Sequence, residues 1–270
     1  MPKDLRNLPI AITGASSGIG MATALACARA GMPVALGARR EDRLAEVAER
    51  IRSEGGRAIA VRVDVDNPAE CAELVERTVA EFGSIYAVFA NAGYGADTPI
   101  STVPDAEVRA MFETNFFGTL NTIRPALPHM LAAGRGHVLI CSSCLSKFAL
   151  PWHAVYSATK AAQDHIGRSL YIELRPKGIA VSTVHPVGTK TEFFERSAAR
   201  SHSPATRPAE IRTPRFLMQP AERVANAIVR SLRRPRSEVW TSLPTRLFFA
   251  GLMAFPGLRD AVLARKYARP

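Results

Sequence analysis

The sequence predicts an α/β protein built on one doubly wound parallel sheet, with a C-terminal extension. Three observations predict it. Over the first 190 residues, short apolar, β-branched runs alternate with longer segments of helical period. The short runs are apolar almost throughout rather than every second residue, as strands buried on both faces are. No internal repeat and no interdomain linker appears before residue 193. Right-handed crossovers then wind helices onto both faces of the sheet.

Each element follows in order. Ile10–Thr13 reads as the first strand and runs into glycines at 14, 18 and 20. Ile19–Ala30 is apolar throughout, so it reads as a buried helix. Val34–Gly37 is the second strand. Glu41–Ser53 is a helix with Leu44, Val47, Ala48 and Ile51 on one stripe. Ala58–Val63 and Ile85–Ala90 are the third and fourth strands. Pro68–Phe82 and Pro104–Phe117 each open with proline, as first helical turns often do. His137–Cys141 and Ile179–Val184 are strands on either side of the longest helix, Val155–Leu174. From Phe193 to Gln219 the chain turns to Ser, Pro, Thr and Arg, the composition of a long functional loop. Pro220–Leu232 reads as a helix and Glu238–Thr241 as a last short strand. The predicted division is a catalytic and nucleotide-binding domain over 1–242 and a basic, apolar tail over 243–270.

Composition narrows the function. The 270 residues are 47% hydrophobic and 22% charged, which excludes a disordered chain. Four cysteines are too few for a disulfide scaffold. The formal net charge of +11 raises nucleic acid or membrane as partners. Residues 196–270 carry 15 Lys and Arg against 4 Asp and Glu, so the whole excess sits there and residues 1–195 are neutral. The start, MPKDLRNLP, has charge but no apolar run, so a cytoplasmic setting is expected. The longest uncharged apolar stretch, Leu247–Leu258, is twelve residues broken by Pro256; crossing a bilayer takes about 20.

The first strand opens into Gly14-Ala15-Ser16-Ser17-Gly18-Ile19-Gly20. Glycines here permit a tight turn, a close approach of backbone to ligand, and close packing of helix on sheet. The helix N-terminus then faces a pyrophosphate. A plain strand–turn–helix is the alternative, and placement before a buried helix disfavours it. NAD-specific sites put a carboxylate at the end of the second strand. Here Arg39 and Arg40 stand there, and two guanidiniums can pair with a 2′-phosphate, which favours NADP. The competing reading is a solvated pair answered by Glu41 and Asp42.

Taken together, the motifs resemble the short-chain dehydrogenase/reductase family, of the single-domain, NADP-preferring kind, over roughly residues 8–241. The glycine turn is similar to the family's cofactor turn, which implies cofactor contacts at Gly14, Ser16, Ser17, Gly18, Ile19 and Gly20. Asp64-Val65 matches the adenine contact and Asn91-Ala92-Gly93 the motif closing the fourth strand. Asn115 matches the active-site helix asparagine. Ser143 lies thirteen residues before Tyr156, and Tyr156-Ser-Ala-Thr-Lys160 matches the Tyr-x-x-x-Lys signature. The resemblance implies a Rossmann-type fold, NADP(H), and a homodimer or homotetramer. One departure stands in His185-Pro186-Val187-Gly188-Thr189-Lys190-Thr191, where Val187 replaces the usual glycine. Pro186, Thr189 and Thr191 are still expected at the nicotinamide.

The chemistry follows from residue types. Tyr156 and Lys160 are i and i+4 on one helix and share a face. A free phenol has a pKa near ~10, and an ammonium one turn away is expected to lower it toward working pH. Ser143 can donate to a substrate oxygen and stabilise charge developing there. The resemblance gives Lys160 a further contact with the nicotinamide ribose and gives Asn115 a water in a proton relay. The expected substrate is a secondary alcohol or ketone, apolar or amphipathic because Leu145, Phe148, Leu150, Trp152 and Phe193 flank the catalytic segments.

Other patterns are weighed down. Cys141-Ser-Ser-Cys144 ends a strand instead of opening a helix, so it lacks the dipole of reactive pairs, and no second such pair completes a zinc site. Cys27 and Cys71 read as small buried hydrophobes. His153 reads as loop-lining and His185 as a strand-end residue; no metal is expected. The tail has three readings: a solvated rim with apolar residues packed on the subunit or a partner, docking to an anionic membrane surface with Phe248, Phe249, Leu252, Met253 and Phe255 inserted between arginines, or nucleic-acid binding on charge alone. The first is favoured, the second is left open as peripheral membrane contact, and the third is set aside. A cofactor-binding scaffold or sensor docked through its tail is the second functional class considered; the Ser–Tyr–Lys set argues against it.

Overall fold

The computed structural model describes residues 2–193, 197 and 218–267. Most of the expected 193–219 loop lies outside them. Seven strands form one sheet: β1 (Ile10–Thr13), β2 (Val34–Ala38), β3 (Ala58–Arg62), β4 (Ala87–Ala90), β5 (Gly136–Cys141), β6 (Ile179–Val184) and β9 (Glu238–Val239). Their order is β3-β2-β1-β4-β5-β6-β9 and every pairing is parallel. This is the doubly wound, Rossmann-type α/β fold that the apolar runs predict. A second small parallel pair joins β7 (Thr189–Lys190) to β8 (Gln219–Pro220).

Strand alternation sends the core to two sides. Ile10, Ile12, Leu36 and Phe89 pack toward α1 (Gly18–Arg29), α2 (Glu41–Ser53) and α8 (Ala221–Arg233). Ala11, Ala35, Val88, Val138 and Ile140 face the other layer, with α3 (Pro68–Phe82), α6 (Ala126–Ala133) and α7 (Ala154–Leu174). Local chemistry sets the helix ends. In α3, the Asn67 side chain caps the amide of Ala69, Pro68 occupies the first turn, and Gly83 closes in the left-handed region.

Chain order reverses between β1 and β4. Their C-terminal ends therefore open a crevice between outgoing connections, where such sheets bind ligands.

Three segments carry structure that the sequence reading does not give. The helix expected over Pro104–Phe117 is α4 (Asp105–Phe112), then a π turn (Glu113–Phe117), then α5 (Gly118–Ile123). The extra residue of that turn is fixed by contacts of Asn115 with distant residues, which no local pattern reveals. Helix α6 falls in a stretch for which no element is expected. The tail is two helices, α9 (Leu243–Ala254) and α10 (Pro256–Tyr267), separated at Phe255. No single helix among the described residues is long and apolar enough to cross a membrane.

Candidate active site

The glycine turn sits at the end of β1, against the end of β4. Gly14 has φ +66°, and a Cβ there would lie 2.9 Å from the Asn91 amide nitrogen. At Gly20 a Cβ would come within 2.3 Å of the Gly14 carbonyl oxygen, so no side chain is admitted. Asn91 fastens the turn, donating from Nδ2 to the Thr13 carbonyl at 3.0 Å, while its own amide donates to Thr13 Oγ1 at 3.2 Å. Ser17 precedes α1 but its side chain does not cap the helix. The hydroxyl instead accepts from Arg40 Nη2 at 2.9 Å, and Ser16 Oγ accepts from the same nitrogen at 3.0 Å. The first-turn amides are thus left without a side-chain cap, and α1 carries no acid there. Those are the features of an anion site.

Arg40 reaches back from the end of β2 across this turn, and its Nη1 also meets Glu192 Oε2 at 3.2 Å. Arg39 is more exposed and lies 3.8 Å from Asp64. The Asp64 amide donates to Glu70 at 2.7 Å, and the Val65 carbonyl accepts from Asn121 at 3.0 Å, which fixes the bend after β3. Ala92 and Gly93 continue from Asn91. A Cβ on Gly93 would lie 2.8 Å from Asn115 Oδ1 and 3.6 Å from Lys160 Nζ, so the backbone here lies directly over both residues.

The loop after β6 lies across the glycine turn. Thr191 packs on Gly18, where a Cβ would meet its methyl at 3.1 Å. Pro186 accepts from the Cys144 amide at 3.0 Å. Thr189 Oγ1 donates to the Val187 carbonyl at 2.7 Å. Val187, the departure from the family pattern, is buried against Cys144 and Phe249. A cavity of about 380 Å³ opens at this junction, lined by Ser16, Ser17, Gly18, Lys190 and Thr191 among others. An uncapped helix start, glycines too tight for any side chain, and Arg40 over the turn fit the phosphates of a dinucleotide.

The four residues expected to carry the chemistry converge. Tyr156 and Lys160 share the inner face of α7, and Lys160 Nζ lies 5.6 Å from the Tyr156 ring centre. Ser143, just after β5, lies beside the Tyr156 phenol, and its Oγ accepts from the Leu145 amide at 3.1 Å. Asn115 holds the backbone of Tyr94 through both amide atoms at 2.9 Å, and its Nδ2 donates to Thr159 at 3.0 Å. The Asn115 carbonyl accepts from Gln163 at 2.6 Å and from Thr119 at 2.7 Å.

The expected lowering of the Tyr156 pKa is not found. Burial pushes the phenol up, and the neighbouring Ser143 hydroxyl only opposes this. The reason is where the ammonium points: Lys160 Nζ donates to the Cys141 carbonyl at 2.8 Å, away from the phenol, and burial lowers its own pKa. Tyr156 in this state is a neutral acid.

A buried charge cluster behind Ser143 escaped the sequence. Lys147 Nζ, 4% exposed, sits 2.6 Å from Asp164 and 2.8 Å from Glu238, and Arg168 bonds both carboxylates. His185 Nε2 lies 3.5 Å from Asp164, while its Nδ1 meets the Ser143 carbonyl at 3.2 Å. Burial raises the Asp164 and Glu238 carboxyls, but the Lys147 hydrogen bonds and surrounding positive charge hold both low, Glu238 at about 2. Burial pushes His185 down to about 4. Asp164, His185 and Glu238 have metal-like spacing, but the Lys147 ammonium is the cation they already hold. Only the i+4 step from Asp164 to Arg168 marks it in the sequence.

Cys141 and Cys144 are buried, and burial pushes the Cys144 thiol up to about 12, so neither is a reactive thiolate. His153 pairs with Asp97 at 3.0 Å, in the loop leading to α7.

Residues 9–201 match the family model for short chain dehydrogenases. An uncharacterised oxidoreductase of Listeria monocytogenes is 37% identical over 193 residues, 71% of this chain and 78% of that one. A short-chain dehydrogenase/reductase from Burkholderia phymatum, solved with NAD, superposes with a TM-score of 0.83 over 95% of this chain and 96% of its own; at 24% identity it speaks for the fold. An alcohol dehydrogenase from Thermococcus sibiricus, solved with 5-hydroxy-NADP, is 29% identical with a TM-score of 0.73, covering 86% and 94%. Sheet, glycine turn and Tyr-x-x-x-Lys helix thus define a nicotinamide-dependent oxidoreductase. The chain belongs to the short-chain dehydrogenase/reductase family.

Proposed function

We propose that the chain is an NADP(H)-dependent oxidoreductase that moves a hydride between the nicotinamide and a secondary alcohol or ketone of apolar or amphipathic character. One observation carries this reading: a half-buried Tyr156 phenol beside Ser143, with Lys160 one turn along the same helix. When bound, the nicotinamide supplies or accepts the hydride. Gly14, Ser16, Ser17, Gly18, Ile19 and Gly20 would hold its pyrophosphate. Asp64 and Val65 would flank the adenine, and Asn91, Ala92 and Gly93 would line the crevice. Pro186, Thr189 and Thr191 would close over the carboxamide.

The side chains then divide the work. Ser143 and Tyr156 donate to the carbonyl oxygen of a ketone and stabilise the charge that grows there. Tyr156, protonated at working pH, gives that oxygen its proton. In the other direction it takes the proton from the alcohol. Lys160 binds the ribose and restores the phenol's proton through the Asn115 side of the helix. Arg39 and Arg40 favour a 2′-phosphate because Arg40 already spans Ser16 and Ser17 and no acid ends β2. Phe193, 5.5 Å from the Tyr156 ring, together with Leu145 and Phe148, favours an apolar substrate. Assembly as a homodimer or homotetramer and a cytoplasmic setting belong to the same proposal.

Tyr156→Phe should lower turnover of ketones with NADPH by about 10²–10⁴-fold while leaving NADPH binding near wild type. Retained activity would refute the assignment. Arg40→Ala should weaken NADPH by about 10–100-fold, the worth of one or two charge-assisted bonds, and NADH much less. Equal effects on both would remove the phosphate role.

A further inference from the structure

The tail helices leave an unusual surface. Eleven large apolar side chains are exposed among the described residues, and seven of them fall within Leu243–Val262. That concentration needs a cover, since scattered single exposures do not. Helix α9 has one charged residue, Arg246, in twelve. Its inner side buries Phe249 against Phe148 and Trp240, while Leu247, Phe248 and Met253 on its other sides face outward. A helix apolar nearly all round is not made to face water. Leu247 and Leu258, on consecutive helices, are 62% and 67% exposed.

We propose that α9 and α10 lie on an anionic lipid surface, and that an apolar substrate dissolved in that bilayer reaches Ser143 past α9. The two helices are bent by 97° to one another, and neither is long enough to span, which suits a pair lying within the interface. Their charge is basic: Arg246, Arg259, Arg265 and Lys266 against Asp260 alone, which pairs with Arg259 at 2.8 Å. Exposed Arg233, Arg234 and Arg236 precede them. Acidic headgroups complement such a face. A second copy does so less well, because a two-fold contact sets the same arginines against themselves. The link to Ser143 is the inner side of α9. Phe249 and Leu252 pack on Cys144, Leu145, Phe148 and Val187, the residues that follow Ser143 and Pro186. The substrate part of this inference rests on the oxidoreductase reading; the docking part does not.

The test uses the full chain in vesicle flotation, with phosphatidylcholine alone and with phosphatidylglycerol added. Flotation is expected with the anionic vesicles and should weaken as salt rises. Replacing exposed Leu247→Asp and Leu258→Asp together should reduce binding at least about tenfold, since each loses a buried apolar side chain and adds a like charge to the lipid. The same variant should keep its turnover of a water-soluble ketone and lose turnover of a ketone carried in the vesicles. Tyr156→Phe should float like the wild type while turning nothing over, which separates failure of docking from failure of the catalytic reading. The docking proposal is overturned by absence of flotation, by flotation that survives the double variant, or by a double variant that changes the sedimentation coefficient instead, since the face would then cover a second copy. Equal loss on both ketones overturns the delivery route.

Discussion

Lys147→Met probes the cluster that ties the catalytic turn to the sheet. The wild-type ammonium is buried with two carboxylates at 2.6 and 2.8 Å. Methionine keeps the length of the stem and removes the charge. Asp164 and Glu238 then face each other with Arg168, half exposed, as their remaining cation; His185 stays neutral. Breaking a buried pair by removing one partner costs about 3–5 kcal/mol, and the surviving Arg168 contact argues for the lower end, about 3. In a chain of this size each kcal/mol is worth about 2–4 °C, so thermal unfolding followed by circular dichroism should shift down by about 6–12 °C. The penalty should shrink as pH falls toward 4, because protonating the unpaired carboxylates removes their repulsion. The turn that carries Ser143 should loosen as well, lowering kcat more than it raises KM for cofactor. A shift below about 2 °C, or one that does not depend on pH, would refute this account of the cluster.

Other outcomes follow from the same geometry. His137 and His185 are kept neutral by burial, with pKa values pushed down to about 3 and about 4. The unfolded chain takes up protons below about 6.5 while the native one does not. Stability present above that pH is therefore lost as pH falls, by about 1.4 kcal/mol per unit for each histidine between pH 6 and 4. Equal urea midpoints at pH 7 and pH 5 would contradict it. Gly20→Val should abolish NADPH binding, read by fluorescence titration, because a Cβ meets the Gly14 carbonyl at 2.3 Å; unchanged affinity would mean the turn is not the phosphate site. Asn115→Leu removes three hydrogen bonds that shape the π turn and should cost about 2–4 kcal/mol in chemical unfolding, with a cost under 1 kcal/mol counting against that role.

Much of the fold was legible because its signals are local. Short, mostly apolar, β-branched runs such as Ile10–Thr13 and Ile179–Val184, bounded by turns, read as strands covered on both faces, and the glycines at 14, 18 and 20 mark a turn with no room for side chains. The spacing of Tyr156 and Lys160 fixes their shared helix face. The tail is different: its apolar residues are plain in the sequence, but the bend that divides them into two helices is not.

What the sequence determined by itself was the frame: element order, the cofactor turn, and the residue types that gather at the ends of β1, β4 and β5. Tertiary structure decided the electrostatics. Lys160 stands one turn from Tyr156 in any helix, yet its ammonium is drawn to the Cys141 carbonyl, and burial outweighs it at the phenol. Lys147, Asp164, His185 and Glu238 come from four separate segments, and only packing makes them one charged unit. Interactions within a turn or a strand can be read from neighbours in the chain. Desolvation and charge pairing depend on which distant segments exclude water together, and that is fixed only once the sheet has closed.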